Sequence, residues 1–173
     1  PDKVRVKKQS LIIDCDPGVD DALGLFLAFG SPELELLAVT TVGGNVPGVI
    51  TARNARIMRQ LAGREDVPVH AGADRPLVPA TLEPVAAAEF HGEGGIGDMV
   101  PFEPRLGNAP GAAAQAIVDL VMARPAGSVA LAVMGPMTNI ALALRLEPKL
   151  AAHLGPVSVM GGARSEGGNI TPS

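Results

Sequence analysis

A chain of 173 residues with 47% hydrophobic content is long enough to bury a sizeable core within one domain. Its formal net charge of −4 and its lack of Trp and Tyr leave neither a basic footprint nor aromatic stacking platforms, so no nucleic-acid partner is expected. A single cysteine excludes an internal disulfide framework, and no apolar run reaches the roughly 18–20 residues that span a bilayer, so no membrane partner is expected either.

Residues Pro1 to Gln9 are too basic and too poor in apolar side chains for the core of a secretory signal, which makes the cytoplasm the default location. Lys3, Arg5, Lys7 and Lys8 read as a solvated terminal edge. The first strand is expected at Leu11–Asp14, and it runs into Asp14-Cys15-Asp16-Pro17-Gly18-Val19-Asp20-Asp21. Four carboxylates in eight residues need a physical explanation. At about 4 Å each like-charged pair repels by roughly 1 kcal/mol in water and about 4 kcal/mol near a protein surface, so a bound hard dication is the natural neutraliser. Calcium, which takes about 6–8 oxygen ligands, suits such a cluster.

Side chains two apart on a strand share a face, which puts Asp14 and Asp16 on one side and Cys15 on the other. Cys15, flanked by acids, is expected to be a packed thiol rather than a nucleophile. Pro17-Gly18 is a turn pair. A buried helix follows at about Asp20–Phe29, closed by Gly30, and Asp20 and Asp21 at its start are either helix-capping residues or cation ligands. Further strands are expected at Leu36–Val42, Val67–His70, Val129–Met134 and Val157–Met160. Further helices are expected at about Gly48–Ala62, Ala112–Ala123 and Asn139–Leu154. Alternating strands and helices imply an open, mainly parallel α/β sheet with helices on both faces.

Ligands of such sheets bind beyond the carboxyl ends of the strands, where Asp14 and Asp16, Gly43-Gly44-Asn45, Met134-Gly135-Pro136 and Met160-Gly161-Gly162 all fall. The stretch from Asp74 to Pro110 is long, irregular and broken by prolines. Within it Gly92-Glu93-Gly94-Gly95-Ile96-Gly97 fits the dinucleotide spacing, yet no strong strand precedes it and Pro101 and Pro104 follow, so a flexible loop is expected. Of the three histidines, His70 and His153 read as structural, whereas His91 lies in a loop able to close over a ligand.

The acidic run resembles the signature of the inosine-uridine preferring nucleoside hydrolases (nucleoside N-ribohydrolases), Asp-x-Asp-Pro-Gly-x-Asp-Asp after an apolar strand, and matches it throughout. The resemblance continues through Thr40-Thr41-Val42-Gly43-Gly44-Asn45, His91-Gly92-Glu93, Met134-Gly135-Pro136-Met137-Thr138-Asn139, Met160-Gly161-Gly162 and Gly168-Asn169. It implies a Rossmann-like nucleoside hydrolase fold in one α/β domain over residues 1–173, without an internal boundary. It also implies calcium-dependent hydrolysis of the N-glycosidic bond of ribonucleosides to base and ribose.

Carried over position by position, the resemblance makes Asp16 the general base and a calcium ligand, Asp21 a calcium ligand through both oxygens, and Met134 a ligand through its backbone carbonyl. Asp20, Asn45 and Asn169 would bind the sugar. Met160 would lie under the ribose, His91 would contact substrate, and Asp14 would orient the loop. Family members are nearly twice as long, so this chain is expected to be the N-terminal portion of an enzyme, homo-oligomeric (a dimer or tetramer) at full length. Two rival readings remain: a magnesium phosphotransferase of the haloacid-dehalogenase type, disfavoured by Gly18 where that family wants Thr or Val, and a non-catalytic calcium or ribose binder.

Overall fold

The computed structural model describes residues 8–75, 77, 88–162 and 165. Along these residues run β1 (Gln9–Cys15), α1 (Val19–Gly30), β2 (Leu34–Thr41), α2 (Gly48–Leu61), β3 (Val69–Ala71), α3 (Ala88–His91), α4 (Ala113–Met122), β4 (Val129–Val133), α5 (Thr138–Leu146), α6 (Leu150–His153) and β5 (Val157–Val159). Every strand pairing is parallel, in the order β3-β2-β1-β4-β5. The chain builds outward from β1 on one side, then crosses and builds outward on the other. The connections leaving β1 and β4 therefore diverge and open a crevice at the carboxyl ends of those strands.

Both faces of the sheet are covered along its central strands, as is usual for parallel pairing, whereas β5 is exposed throughout. Ile13, Cys15 and Val39 pack under α1 and α2 with Leu25, Phe29, Ile57 and Met58. Ile12, Leu37, Leu131 and Val133 pack under α4, α5 and α6 with Ile117, Val121, Ile140 and Leu150. Alternation along β1 thus sends successive side chains into opposite cores. Truncating a wholly buried member such as Leu25 or Ile117 to Ala would cost about 2–5 kcal/mol.

One irregularity in the sheet matters for the site. Leu11 pairs with Leu36 but Ile12 pairs with Ala38, so β2 carries an extra residue at that point. The shift brings Thr40, instead of Val39, alongside Asp14. A one-residue slip decides whether that buried carboxylate meets a hydroxyl or an isopropyl group.

The expected strands and helices all form, with four differences. The helix anticipated over Asn139–Leu154 is two, α5 and α6, because Pro148 disfavours helical geometry at Glu147, whose backbone is extended. The third strand starts at Val69 rather than Val67, since Pro68 has no N–H for a ladder; its carbonyl accepts from the Val39 N–H instead (2.9 Å). Gly30 is the last helical residue of α1, and Ser31 closes the helix through its Oγ to the Leu27 carbonyl (2.8 Å). The short helix α3 was not anticipated. Lys3, Arg5, Lys7 and, within the proline-rich stretch, residues 76 and 78–87 lie outside the described residues. Among the described residues no helix is long and apolar enough to cross a membrane.

Candidate active site

At the carboxyl end of the sheet lies a cleft of about 830 Å³, and Asp16, Asp20, Asp21, Asn45, His91, Met134 and Met160 all line it. Seven of the nine candidate residues therefore line one cleft. Asp14 is wholly buried and is not part of that lining. Asn169 lies outside the described residues.

β1 ends at Cys15, so Asp16 sits in the turn beyond the strand. Its Oδ2 accepts the Asn45 backbone N–H (2.8 Å), and its own carbonyl accepts the Asn45 side-chain amide (3.0 Å). Two glycines allow this placement. A Cβ on Gly44 would collide with Asp16 Oδ2, and one on Gly135 would lie 2.7 Å from Oδ1 and 3.0 Å from the backbone nitrogen. Asp16 is thus seated between the ends of β2 and β4 with Oδ1 making no hydrogen bond among the described residues.

Asp21 does not cap α1. The helix has Gly18 at its N-cap and no side-chain cap; Asp21 Oδ2 instead accepts the Asp16 N–H at 3.0 Å, fastening the turn. Burial holds Asp16 up at about 6 against the lowering effect of the Asn45 N–H, and burial together with the charges of Asp16 and Asp20 pushes Asp21 up to about 7. Neither the three arginine–carboxylate pairs among the described residues nor the His91–Asp20 approach reaches Asp14, Asp16 or Asp21. These carboxylates are crowded, desolvated and unmatched by any cation among the described residues.

Below them Asp14 is wired differently. Its Oδ1 accepts from Thr40 Oγ1 (2.5 Å) and from the Asn139 amide (2.8 Å), while Oδ2 is buried without a partner among the described residues. Asn139 also donates to the Thr41 carbonyl (2.9 Å) and accepts the Ala73 N–H (2.9 Å), tying α5 to the ends of β2 and β3. Burial raises Asp14 to about 6. Cys15 on the opposite face is fully buried, and burial plus the surrounding aspartates push its thiol well up, as expected of a packed rather than nucleophilic residue.

Across the cleft, His91 ends α3, and its Nδ1 accepts the Val19 N–H (3.2 Å). Nδ1 therefore carries no proton in this arrangement, and its approach to Asp20 Oδ1 at 4.0 Å is not an ion pair through that atom. Nε2 is left as the donor of the neutral ring. Gly18 separates the two polar contacts of the turn: a Cβ there would stand 2.8 Å from both Asn45 Nδ2 and His91 Nδ1. His153 is structural, with Nε2 2.7 Å from the Arg124 carbonyl.

The glycine-rich segment 92–97 follows the four-residue α3 rather than a strand, so it is no dinucleotide fingerprint. Nor is it the loose loop expected. Ile96 is buried in the core under α1 and α2, and Asn54 of α2 donates to the Gly94 carbonyl at 2.8 Å. Sequence reasoning assigned no role to Asn54, Thr40, Asn139 or Phe90, the last an exposed wall residue of the cleft. Asn54 and Asn139 carry one faint signal: each is an amide inside an otherwise core-facing helical stretch.

In its donors the site suits a hard dication. Asp16 and Asp21 each offer a carboxylate oxygen, and the Met134 carbonyl follows directly on β4. The set is incomplete by itself, for among the described residues no three His, Cys, Asp or Glu side chains are grouped to hold a metal ion.

Comparison with known proteins identifies the family of the chain. Residues 11–173 match the family model described as inosine-uridine preferring nucleoside hydrolase. An inosine-uridine preferring nucleoside hydrolase of Crithidia fasciculata is 42% identical over 160 residues, which cover 92% of this chain and 50% of that relative. An uncharacterised protein of Schizosaccharomyces pombe is 45% identical over 163 residues, covering 94% and 52%. Among solved structures, a plant nucleoside hydrolase superposes with a TM-score of 0.87 at 35% identity, covering 95% of this chain and 51% of that one. The chain spans about half the length of the relatives it matches, and it belongs to the inosine-uridine preferring nucleoside hydrolase family.

Proposed function

We propose that the protein encoded by the complete reading frame hydrolyses the N-glycosidic bond of ribonucleosides, giving free base and ribose, with calcium bound at Asp16, Asp21 and the Met134 carbonyl. One observation carries this reading: desolvated Asp16 and Asp21 share a single cleft with Asp20, Asn45, His91 and Met160, on the side of the sheet where ligands of this architecture bind. Membership of the family supports it.

Departure of the base leaves an oxocarbenium-like ribosyl group. The negative charge of Asp16, Asp20 and Asp21 stabilises that developing cation, in a cleft where low dielectric strengthens the interaction. Asp16 Oδ1, free of hydrogen bonds, takes the proton of the attacking water. When bound, calcium would orient and acidify that water and relieve part of the repulsion among the carboxylates. Asp20, exposed at the rim, and Asn45, whose amide can donate and accept, hold ribose hydroxyls; Asn169 is assigned the same role from its place in the motif. Met160 provides an apolar contact under the ribose. His91 donates from Nε2 to the substrate, and Asp14 fixes the turn from below. We assign residues 1–173 to one α/β domain, and on family resemblance we place the complete enzyme in the cytoplasm as a homo-oligomer.

The test is ribose release from inosine and from uridine, with calcium or with chelator. Calcium-dependent ribose release supports the proposal. Release of inorganic phosphate from phosphomonoesters without ribose release would favour the phosphotransferase reading, and ribose binding without turnover a binding protein.

A further inference from the structure

Asn54 is fully buried, and its amide nitrogen reaches two separate loops: the Gly94 carbonyl of the glycine-rich segment at 2.8 Å and the Pro17 carbonyl of the aspartate turn at 3.3 Å. Its neighbours leave no slack. A Cβ on Gly95, whose φ is +79°, would sit 3.0 Å from Asn54 Nδ2 and 3.0 Å from Val46. The segment so held leads back to His91 within a few residues, where the Gly97 N–H donates to the His91 carbonyl (2.7 Å), and His91 Nδ1 then accepts from Val19 just beyond the same aspartate turn. Carbonyls of two loops face one buried amide, and a ring nitrogen of one loop faces a backbone N–H of the other. The loops are registered against each other at two points, only one of which lies in the cleft.

We infer that Asn54 is a positioning residue: by clasping Pro17 and Gly94 together it sets His91 over the carboxylates and holds its ring in the Nε2-protonated form. This rests on the ribonucleoside reading of the site. A buried amide that only filled space would be replaceable by an apolar residue of similar size; one that registers two loops is not, because both carbonyls would lose their donor.

The test is a double-mutant cycle in the protein encoded by the complete reading frame, with Asn54→Ala, His91→Ala and the pair, measuring kcat and KM for inosine and uridine. Asn54→Ala should raise KM about tenfold with kcat changed less, and the increase should vanish when His91 is already Ala. Should Asn54→Ala fail to fold, Gly95→Ala disturbs the same clasp from the loop side and should show the same dependence on His91. A KM increase of equal size in both backgrounds would overturn the inference while leaving the hydrolase reading intact. A second readout needs no turnover. Nitrogen-15 spectra of the imidazole at alkaline pH should show the Nε2-protonated tautomer of His91 in the wild type and tautomer averaging in Asn54→Ala. An unchanged His91 signal would overturn the inference whatever the activity, and no nucleoside turnover by the wild type would overturn the functional reading instead.

Discussion

Asp14 and Asp16 stand two residues apart, and burial pushes both up to about 6, yet the molecule treats them as belonging to different regions. Asp14 is in the floor, where β1, β2 and α5 meet, held on one oxygen by a hydroxyl and an amide and sealed from the cleft. Asp16 is in the wall, held on one oxygen by the Asn45 backbone N–H, with its other oxygen open. A buried carboxylate with neutral donors fixes geometry, whereas a half-satisfied one facing a cavity is available for chemistry. Burial alone does not tell the two apart; the partners do.

The sharpest way to break this contrast is to neutralise each member. Asp16→Asn should lower kcat for ribose release by at least about a hundredfold, the low end for loss of a positioned base. Asp14→Asn keeps an acceptor for Thr40 and Asn139 and should lower kcat by less than about tenfold. Equal losses would erase the distinction between wall and floor.

Next in size is Gly135→Ala. The new Cβ would press on Asp16 Oδ1 at 2.7 Å and on Val42 at 2.9 Å, so Asp16 must move. Misplacement by about 1 Å can cost up to 10²-fold, and we expect a kcat loss of about tenfold together with about 1–3 kcal/mol of stability lost to overpacking against buried Val42. Asn139→Leu should act mainly on stability. It strips a donor from Asp14 and an acceptor from the Ala73 N–H, which should cost about 1–3 kcal/mol of stability in a denaturant melt.

How much of this was legible in the sequence differs between the same two regions. The wall was readable because its residues are contiguous: Asp16-Pro17-Gly18-Val19-Asp20-Asp21 is one local motif, and Asn45, Met134 and Met160 each follow an apolar run that ends a strand. The floor was not. Thr40 meets Asp14 through the extra residue in β2, a register that only pairing reveals, and Asn139 reaches Asp14 across 125 positions. Asn54 was hidden likewise, since a polar residue inside a helix looks surface-facing until its partners are placed. The split of α5 from α6 was in plain view at Pro148 and was overridden by the apolar periodicity on either side.

A further expected effect is on pH dependence. Asp14, Asp16 and Asp21 are all raised above the usual value of 3.8, so the folded protein holds their protons more tightly than the unfolded chain. In the metal-free protein their contribution to stability is greatest below about pH 4 and is lost as pH rises through about 6 to 7. Urea melts at pH 5 and pH 8 in chelator should show this loss. Asp16→Asn should shrink it.

The most direct test of the central claim, that desolvated Asp16 and Asp21 are a dication site, is the melting midpoint at pH 8 in excess calcium and in chelator, for wild type and for Asp21→Asn. A ligand at a hundred times its Kd adds about 2.7 kcal/mol to the folded state, which for a domain of this size shifts the midpoint by roughly 5 °C or more. The account predicts that shift in the wild type and its loss in Asp21→Asn. Identical midpoints with calcium and with chelator, in a verified metal-free wild-type sample, would contradict it.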